Sequence, residues 1–346
     1  MSFRLTDDQR ALQDAVRAFV RDACDGGVRR RAFEGDGFDR EFWAGIAALG
    51  VTGVGVGSAH GGLGLPLIDL ALVAEALGAE AAPGPFLGHA LAALMLEKCG
   101  SEAQKARYLP ALAAGELLAS IALRSHDGGN RDVLYGPLAG LIVAETPDGR
   151  LCLIEETQSI VWAERNVVDR TRRFYGASLD LKDAQTLPGA EASTLLMDAL
   201  AVLIAADAFG GASRMLDLTC AHVRQRVQFG APIGSFQGVK HQLANLAAEI
   251  EPARGLYWYA ALAFDERPAE RSRAASLAKA HLTDRFVQTA RIAIELHGGI
   301  GYTWEYDLQI WFKRALFDYA YGGTPSVHRR RAMCFDNYPS SGSRTA

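Results

Sequence analysis

The sequence predicts a mainly α-helical protein with a small β domain between an N-terminal helical domain and a C-terminal four-helix bundle. Residues 1–118 carry repeated helix start and stop signals, and residues 119–190 contain short apolar runs separated by turn residues. Residues 191–337 return to long helical periodicity. A chain of 346 residues is long enough for two or three domains of ordinary size. Residues 338–346 are predicted to form a mobile tail.

The N-terminal domain is predicted from helix boundaries. Its first helix begins at the capping-box pattern of Thr6 to Gln9, and apolar residues then recur on one face at helical spacing. Further helices are predicted from Asp39 to Leu49, from Pro66 to Leu77, and from Ser101 onward. Glycines at positions 50, 78 and 100 lie where helices are expected to end.

Five short segments predict the β domain. Four are apolar runs separated by turn residues such as Pro147-Asp-Gly. The fifth alternates apolar and polar residues, as a half-buried strand does. The apolar runs begin at Ser120, Leu141, Leu151 and Ser159, and the alternating segment runs from Phe174 to Leu181. This domain is short, at about 70 residues.

Long helical patterns define the C-terminal bundle. They run from Leu195 to Arg224, from Phe236 to Phe264, and from Ser272 to His297, and a shorter one follows Asp307. Ser235 is the predicted N-cap of the second helix, and Pro252 is expected to bend it, because proline removes a backbone donor from a helix interior.

Composition excludes several function classes. With 49% hydrophobic residues, 22% charged residues and a net charge of −4, the chain has no basic footprint for nucleic acid or an anionic membrane. The five cysteines are scattered and are predicted to be small buried hydrophobes; neither they nor the eight histidines show metal-ligand spacing. The start of the chain lacks an apolar signal core, and no later run approaches the ~20 uncharged apolar residues of a membrane span. We therefore expect a cytoplasmic protein that handles small molecules.

Two glycine-rich connectors carry the strongest functional signal. Residues 224–241 and 295–305 each place glycines, amides and cations between long helices. Glycine lets a backbone approach a pyrophosphate closely, and Arg226 offers a planar charged donor. By contrast, the glycines of residues 53–65 do not complete a dinucleotide fingerprint and lie in no strand-loop-helix unit, so they are predicted to form tight turns.

These connectors resemble the two C-terminal signatures of the acyl-CoA dehydrogenase family. The first is Arg226-Val-Gln-Phe-Gly followed by Phe236-Gln, and the second is Glu295-Leu-His-Gly-Gly-Ile-Gly. The stretches starting at Phe3, His60 and Gly100 are also similar to the family's N-terminal domain. The resemblance covers nearly the whole chain and implies the family's three-domain fold.

The resemblance implies an FAD-dependent oxidation of an acyl-CoA thioester to the 2,3-enoyl-CoA, with a base removing the α-proton and the flavin accepting a hydride. It also implies tetramers with FAD at subunit interfaces and electron-transfer flavoprotein as electron acceptor. One group of residues would contact the FAD of a neighbouring subunit, a second would line the adenosine and pyrophosphate end, and one more would contact the cofactor near the end of the chain. The groups are Arg226, Gln228 and Phe229; Gln237, Gly298 and Gly299, with Glu295 at the neighbouring signature position; and Thr324.

The family's catalytic glutamate has no counterpart at either of its usual positions, which Gly322 and Leu200 occupy here. Asp198 is two residues from Leu200 and is turned to another helix face. Asp207 shares the face of Leu200 but lies about 10 Å farther along the helix. Both aspartates are candidate bases, with exposed or helix-capping carboxylates as the alternative interpretation.

Two further departures concern the cofactor. Glu295 replaces the family's usual glutamine, so an amide donor becomes a carboxylate beside a pyrophosphate that would repel it. The Thr-Glu-Pro flavin segment of the middle domain is replaced by residues 121–129. Three hypotheses follow: the base-lacking subunit of a heteromeric dehydrogenase, a self-sufficient homomeric dehydrogenase with a non-standard base, and a non-catalytic acyl-CoA binding protein.

Overall fold

The computed structural model describes residues 4–124, 131–155, 157–182, 184–189 and 191–334. The predicted tail at residues 338–346 lies outside the described residues, as does part of the segment 121–129. Within the described residues, helices come first, a sheet follows, and long helices complete the chain. The predicted fold class is therefore confirmed.

Six helices form the N-terminal part. They are α1 (Asp7–Ala23), α2 (Gly26–Glu34), α3 (Arg40–Ala48), α4 (Leu67–Ala79), α5 (Phe86–Cys99) and α6 (Glu102–Ala113). Both predicted capping boxes are present, at Thr6 with Gln9 and at Ser101 with Gln104. The glycine-rich residues 53–65 do form tight turns, and Gly61 has a φ of 82°. Neither α2 nor α5 was predicted, and α5 is buried on nearly every side, so it has no polar face to reveal its period.

The middle part is a seven-stranded sheet in the order β5-β6-β2-β1-β3-β4-β7. Its two central strands, β1 and β3, pair in parallel, and Ile121 lies opposite Val143. The other pairings are antiparallel. The strands are β1 (Ala119–Arg124), β2 (Arg131–Leu134), β3 (Leu141–Glu145), β4 (Leu151–Ile154), β5 (Ala163–Glu164), β6 (Phe174–Ala177) and β7 (Gln185–Thr186).

The strand predicted from Ser159 was wrong. A 3₁₀ turn covers Thr157–Ser159, and pairing resumes only at β5. The apolar residues between them pack against the sheet through their side chains and do not pair as a strand. Trp162 lies against the backbone of Gly136 and the ring of Tyr175. The alternating segment from Phe174 is a strand only as far as Ala177.

Six helices and one hairpin form the C-terminal part. They are α7 (Ala192–Gln225), the hairpin of β8 (Val227–Gln228) and β9 (Ala231–Pro232), α8 (Gln237–Ile250), α9 (Arg254–Glu266), α10 (Pro268–His297), α11 (Leu308–Ala320) and α12 (Pro325–Cys334). The predicted helix from Phe236 to Phe264 is broken at Pro252 into α8 and α9. Ser235 is not its N-cap, because its hydroxyl donates to the carbonyl oxygen of Pro232.

Helix α7 is the centre of the molecule and packs against α4 and α10. By length and composition it could cross a membrane, but 89% of its most apolar window is buried inside the protein. It crosses α4 closely, since a Cβ on Gly210 would lie 2.0 Å from the carbonyl oxygen of Glu75. These features mark α7 as a core helix, and the candidate site is built along it.

Three of the five cysteines are buried as predicted, but Cys220 is only partly buried and Cys334 is exposed. That part of the prediction was wrong. Cys334 lies in the last turn of α12, which packs only one face against the bundle. Within the residues described, no cluster of three histidine, cysteine or acidic side chains could hold a metal ion.

Candidate functional site

The two positions at which the family's base was expected lie at the same point in space. Leu200 is buried in α7, and Gly322 lies in the turn between α11 and α12 with a φ of 71°. A Cβ on Gly322 would be 2.8 Å from the Cδ2 atom of Leu200. Residues 122 positions apart therefore converge on one spot, and neither carries a carboxylate.

The turn at Gly322 is held by buried side chains. The Nζ atom of Lys279 donates to the carbonyl oxygens of Asp318 and, at 3.2 Å, of Gly323. Nε2–H of His328 donates to the carbonyl oxygen of Gly322 at 3.0 Å. Burial lowers the pKa of Lys279 to about 7 and that of His328 to about 4. The carbonyl oxygens of the turn are thus held by Lys279 and His328, two side chains whose pKa values are lowered.

Asp207 lies on the same face of α7 as Leu200, about two turns farther along, and is held in a buried ion-pair network. Its carboxylate accepts from Arg314 Nε at 2.9 Å and Nη2 at 2.6 Å, and from Arg172 Nη2 at 2.7 Å. Burial alone would raise the pKa of Asp207, but the two arginines outweigh it and lower the pKa to about 2. Arg172 also pairs with Asp318, whose pKa is raised by burial and by the charge of Asp207.

The network leaves little empty space beside it. The cavity between α3, α4, α7 and α11 has a volume of about 20 Å³ and is lined by Trp43, Leu87, Leu203 and Arg314, among others. A cavity of that size holds about one water molecule. Leu203 is one helical turn from Leu200, so the closed volume adjoins the base positions. The cavity itself is too small to hold an acyl group.

Asp198, the second candidate base, is also fully buried. Its carboxylate accepts a hydrogen bond from the Ser272 hydroxyl at 2.7 Å and pairs with Arg331 at 2.7 Å, so it joins α7 to α10 and α12. Burial raises its pKa, and Arg331 opposes that shift. The alternative interpretation of exposed or helix-capping carboxylates was wrong for both aspartates, because each is buried inside a helix and has an arginine partner.

The first predicted cofactor group lies on the β8–β9 hairpin and the start of α8. Arg226, Gln228 and Gln237 are exposed, and Phe229 is 94% exposed at the hairpin tip with a φ of 54°. The ring of Phe229 meets that of Phe236 edge to face, 6.3 Å between centroids. A large aromatic side chain presented to solvent in this way is typical of a contact surface.

The second group follows α10. Glu295 is exposed, and Gly298 has a φ of 65°. A Cβ on Gly298 or Gly299 would meet no atom within 4 Å, so both backbones face open space. The structure brings this group beside Arg226, because the rings of His222 and His297 stack at 4.1 Å between centroids and join the ends of α7 and α10.

Thr324 belongs to the other end of the molecule. It lies beside Gly322, and its hydroxyl is 3.0 Å from that of Ser326. Arg226 is 26 residues beyond Leu200, which is about 39 Å along a helix. One extended dinucleotide is too short to contact both ends, so the Arg226 surface and the Leu200–Gly322 point cannot serve the same cofactor molecule.

The exposed surface fits a nucleotide cofactor in part. Open glycine backbones and the guanidinium of Arg226 are suited to phosphate oxygens. The exposed carboxylate of Glu295 is not, because it can only accept hydrogen bonds when ionised. The residues of this surface therefore fit a nucleotide cofactor only in part.

Sequence reasoning missed the ion-pair network of Arg172, Arg314 and Asp318, and the buried Lys279 beside it. A signal was present, since Arg314 interrupts an apolar run from Ile310 to Phe317 and is almost fully buried. Charged residues are rarely buried unless they are paired. Their partners could not be identified, because Arg314 and Asp207 are 107 residues apart.

Comparisons with known proteins agree with this fold. Residues 6–116 match the model described as "Acyl-CoA dehydrogenase, N-terminal domain", and residues 189–333 match "Acyl-CoA dehydrogenase, C-terminal domain". The chain belongs to the acyl-CoA dehydrogenase family, and its cofactor class is FAD. The predicted family and cofactor are thereby confirmed.

Individual proteins of this family are similar to the chain over nearly its whole length. The chain is 31% identical over 334 residues to "Acyl-CoA dehydrogenase IpdE2" of Mycolicibacterium smegmatis, covering 94% of this chain and 98% of that relative. A variant of the Tcur3481-Tcur3483 steroid ACAD has a TM-score of 0.87 at 26% identity, covering 95% of this chain and 97% of that one. A glutaryl-CoA dehydrogenase from Mycobacterium smegmatis, solved with FADH2, shares the fold, with a TM-score of 0.79 at 23% identity over 95% and 94% of the two chains.

Proposed function

We propose that this chain is the base-lacking subunit of a heteromeric, FAD-dependent acyl-CoA dehydrogenase that oxidises the α,β bond of an acyl-CoA thioester. One observation carries the proposal: both positions expected to hold the base meet at one point, and they hold Leu200 and Gly322. A positioned general base contributes roughly 10² to 10⁴-fold to a rate. A chain without one needs a partner subunit that provides it.

The division of labour follows from the two ends of α7. When bound, FAD accepts the hydride from the β-carbon. In our proposal a partner subunit holds the acyl-CoA and the base, while Arg226, Gln228 and Phe229 of this chain extend the cofactor site at the interface. The open backbones of Gly298 and Gly299 leave room for the nucleotide phosphates to approach, and Gln237 and Glu295 border them. Thr324 lies at the closed end and would contact a cofactor only there.

The assembly is proposed to be a heterotetramer of two such pairs in the cytoplasm, with electron-transfer flavoprotein as electron acceptor. The likeness to a steroid ACAD built from two proteins supports a second dehydrogenase subunit as the partner. It also supports a steroid side chain or another bulky acyl group as the class of substrate. The cavity of about 20 Å³ in this chain supports placing that substrate on the partner.

No observation favours the two alternative functions. A homomeric enzyme would need Asp198 or Asp207 as its base, and both are buried with arginine partners. A non-catalytic acyl-CoA binding protein would need an acyl cavity, and the cavity beside Leu203, at about 20 Å³, is too small to be that cavity.

The test is to purify the chain alone and together with the product of a neighbouring dehydrogenase gene. We expect the chain alone to be colourless, and the complex to carry flavin that acyl-CoA bleaches anaerobically. In the complex, Arg226→Ala should weaken flavin binding by roughly 10- to 150-fold, the value of a lost charged hydrogen bond. Arg224→Ala, an equally exposed change two residues away, is the matched control. Stoichiometric FAD on the chain alone, reduced by an acyl-CoA, would refute the proposal.

A further inference from the structure

Two stacked histidines lie directly behind the proposed cofactor surface. His222 is in the last turn of α7, and His297 is the last residue of α10. Their ring centroids are 4.1 Å apart and their planes are inclined by 21°. The ring of Tyr306 lies 5.3 Å from that of His297, so His297 contacts aromatic rings of two separate segments.

The geometry fixes how His297 is held. It is 6% exposed, and its Nδ1–H donates to the carbonyl oxygen of Ala293 at 2.7 Å. Its Nε2 atom is buried and has no hydrogen-bond partner among the described residues. Burial lowers the pKa of both His297 and His222, so the stack is between neutral rings at neutral pH. His297 therefore interacts with the neighbouring rings mainly through the face of its imidazole.

Each histidine lies directly before one of the two segments proposed to contact the cofactor. The backbone N–H of Arg226 donates to the carbonyl oxygen of His222 at 2.9 Å, so the hairpin begins from that residue. Gly298 and Gly299 follow His297 directly and have no side chains with which to anchor themselves. The imidazole of His297 is the last side chain before them. A change in the stack would thus move Arg226 relative to the glycine backbones.

We propose that His222 and His297 are a pair of positioning residues that sets the spacing between Arg226 and the Gly298–Gly299 backbone for the flavin nucleotide. This inference rests on the proposed function, because it takes these residues as the cofactor surface. The stack joins residues that are 75 positions apart, and it acts through the backbone at Arg226 and at Gly298. Its contribution is therefore to preorganise the surface, which lowers the entropic cost of binding.

The experiment measures flavin dissociation from the purified complex by the fluorescence of released flavin. His297→Ala and His222→Ala are each expected to raise the dissociation constant about 2- to 12-fold, the value of one aromatic pair. His297→Phe keeps a ring at the same place and is expected to restore binding to within about twofold. His281→Ala, an exposed change on the same helix, is the control that should leave flavin binding unchanged.

Two results would overturn the inference. Unchanged flavin binding in both alanine variants, with only a lower unfolding temperature, would make the stack purely structural. Failure of His297→Phe to restore binding would show that the ring nitrogens matter rather than the stack. In both cases a normal effect of Arg226→Ala would leave the proposed function intact. If the chain instead binds flavin without a partner, the proposed function fails, and the same variants measured on that protein still decide the role of the stack.

Discussion

Replacing Arg314 by methionine tests whether its ion pair with Asp207 stabilises the packing around the small cavity beside Leu203. The guanidinium donates twice to Asp207, once to the carbonyl oxygen of Ala82 and once to the hydroxyl of Thr171, and it is 2% exposed. Methionine fills similar space but donates nothing. The change leaves Asp207 with only Arg172, and breaking a buried pair in this way costs about 3–5 kcal/mol.

That cost can be converted to a thermal shift. An unfolding entropy of about 2.1 cal/mol/K per residue gives about 0.7 kcal/mol/K for this chain, so the midpoint of Arg314→Met should fall by about 4–7 °C. Differential scanning calorimetry of the chain measures it. The exposed change Arg224→Ala is the control and should leave the midpoint within about 1 °C.

A double-mutant cycle isolates the pair itself. Asp207→Leu alone leaves the buried Arg314 without its carboxylate partner and should also be strongly destabilising. The combination of Asp207→Leu with Arg314→Met leaves Arg172 paired with Asp318. Its cost should therefore be smaller than the two single costs together by about 0.5–3 kcal/mol. Additive losses, or a shift below 1 °C for Arg314→Met, would refute the view that this pair stabilises the packing around that cavity.

Three further changes test the remaining features. Leu200→Glu restores a carboxylate at the base position but should give the chain alone no dehydrogenase activity, because the adjoining cavity of about 20 Å³ admits no acyl group; anaerobic bleaching of added flavin by acyl-CoA would disprove this. Phe229→Gly removes a positive-φ side chain and should stabilise the isolated chain by up to about 1 kcal/mol while weakening flavin retention in the complex; a loss of folding stability in urea would count against it. Burial lowers the pKa of His89 and of His328 from 6.5 to about 4, so the unfolded chain binds more protons between these values. The free energy of unfolding should be highest above pH 6.5 and should fall by roughly 3 kcal/mol per histidine as the pH drops to 4. A free energy of unfolding in urea that does not vary with pH, or whose pH dependence is unchanged in His89→Gln, would contradict this prediction.

The fold could be predicted where local chemistry sets a boundary. Thr6 and Ser101 are followed by glutamine three residues later, and both helices begin there as capping boxes. Pro252 does interrupt its helix. Helix α5 could not be predicted by period, because tertiary contacts bury it on nearly all sides. The run at Ser159 looked like a strand only because burial under Trp162 and strand pairing both select apolar residues.

The candidate site likewise has features that could be predicted from the sequence and features that could not. The connectors around Arg226 and Gly298 were visible because their residue types form a continuous pattern. The burial of Asp198 and Asp207 was not visible, because an aspartate in a helical sequence gives no sign of the distant arginine that pairs with it. Only the fold reveals that Leu200 and Gly322 face each other, since their proximity depends on how the turn after α11 packs on α7.

The two ends of α7 differ in character: the Leu200 end has no carboxylate at either base position, and the Arg226 end presents an exposed surface. At the Leu200 end, one substitution would not recover a catalytic site: a carboxylate there still lacks a cavity, and enlarging the cavity means breaking the pairs of Asp207 at a cost of several kcal/mol. At the Arg226 end, an arginine, an exposed aromatic ring and two open glycine backbones are kept although they lie about 39 Å from that point. In the proposed function, a surface at that distance from Leu200 serves another subunit. The same argument predicts where the chain tolerates change, since polar substitutions around Leu203 should affect folding alone, whereas substitutions around Arg226 should affect only the assembled enzyme.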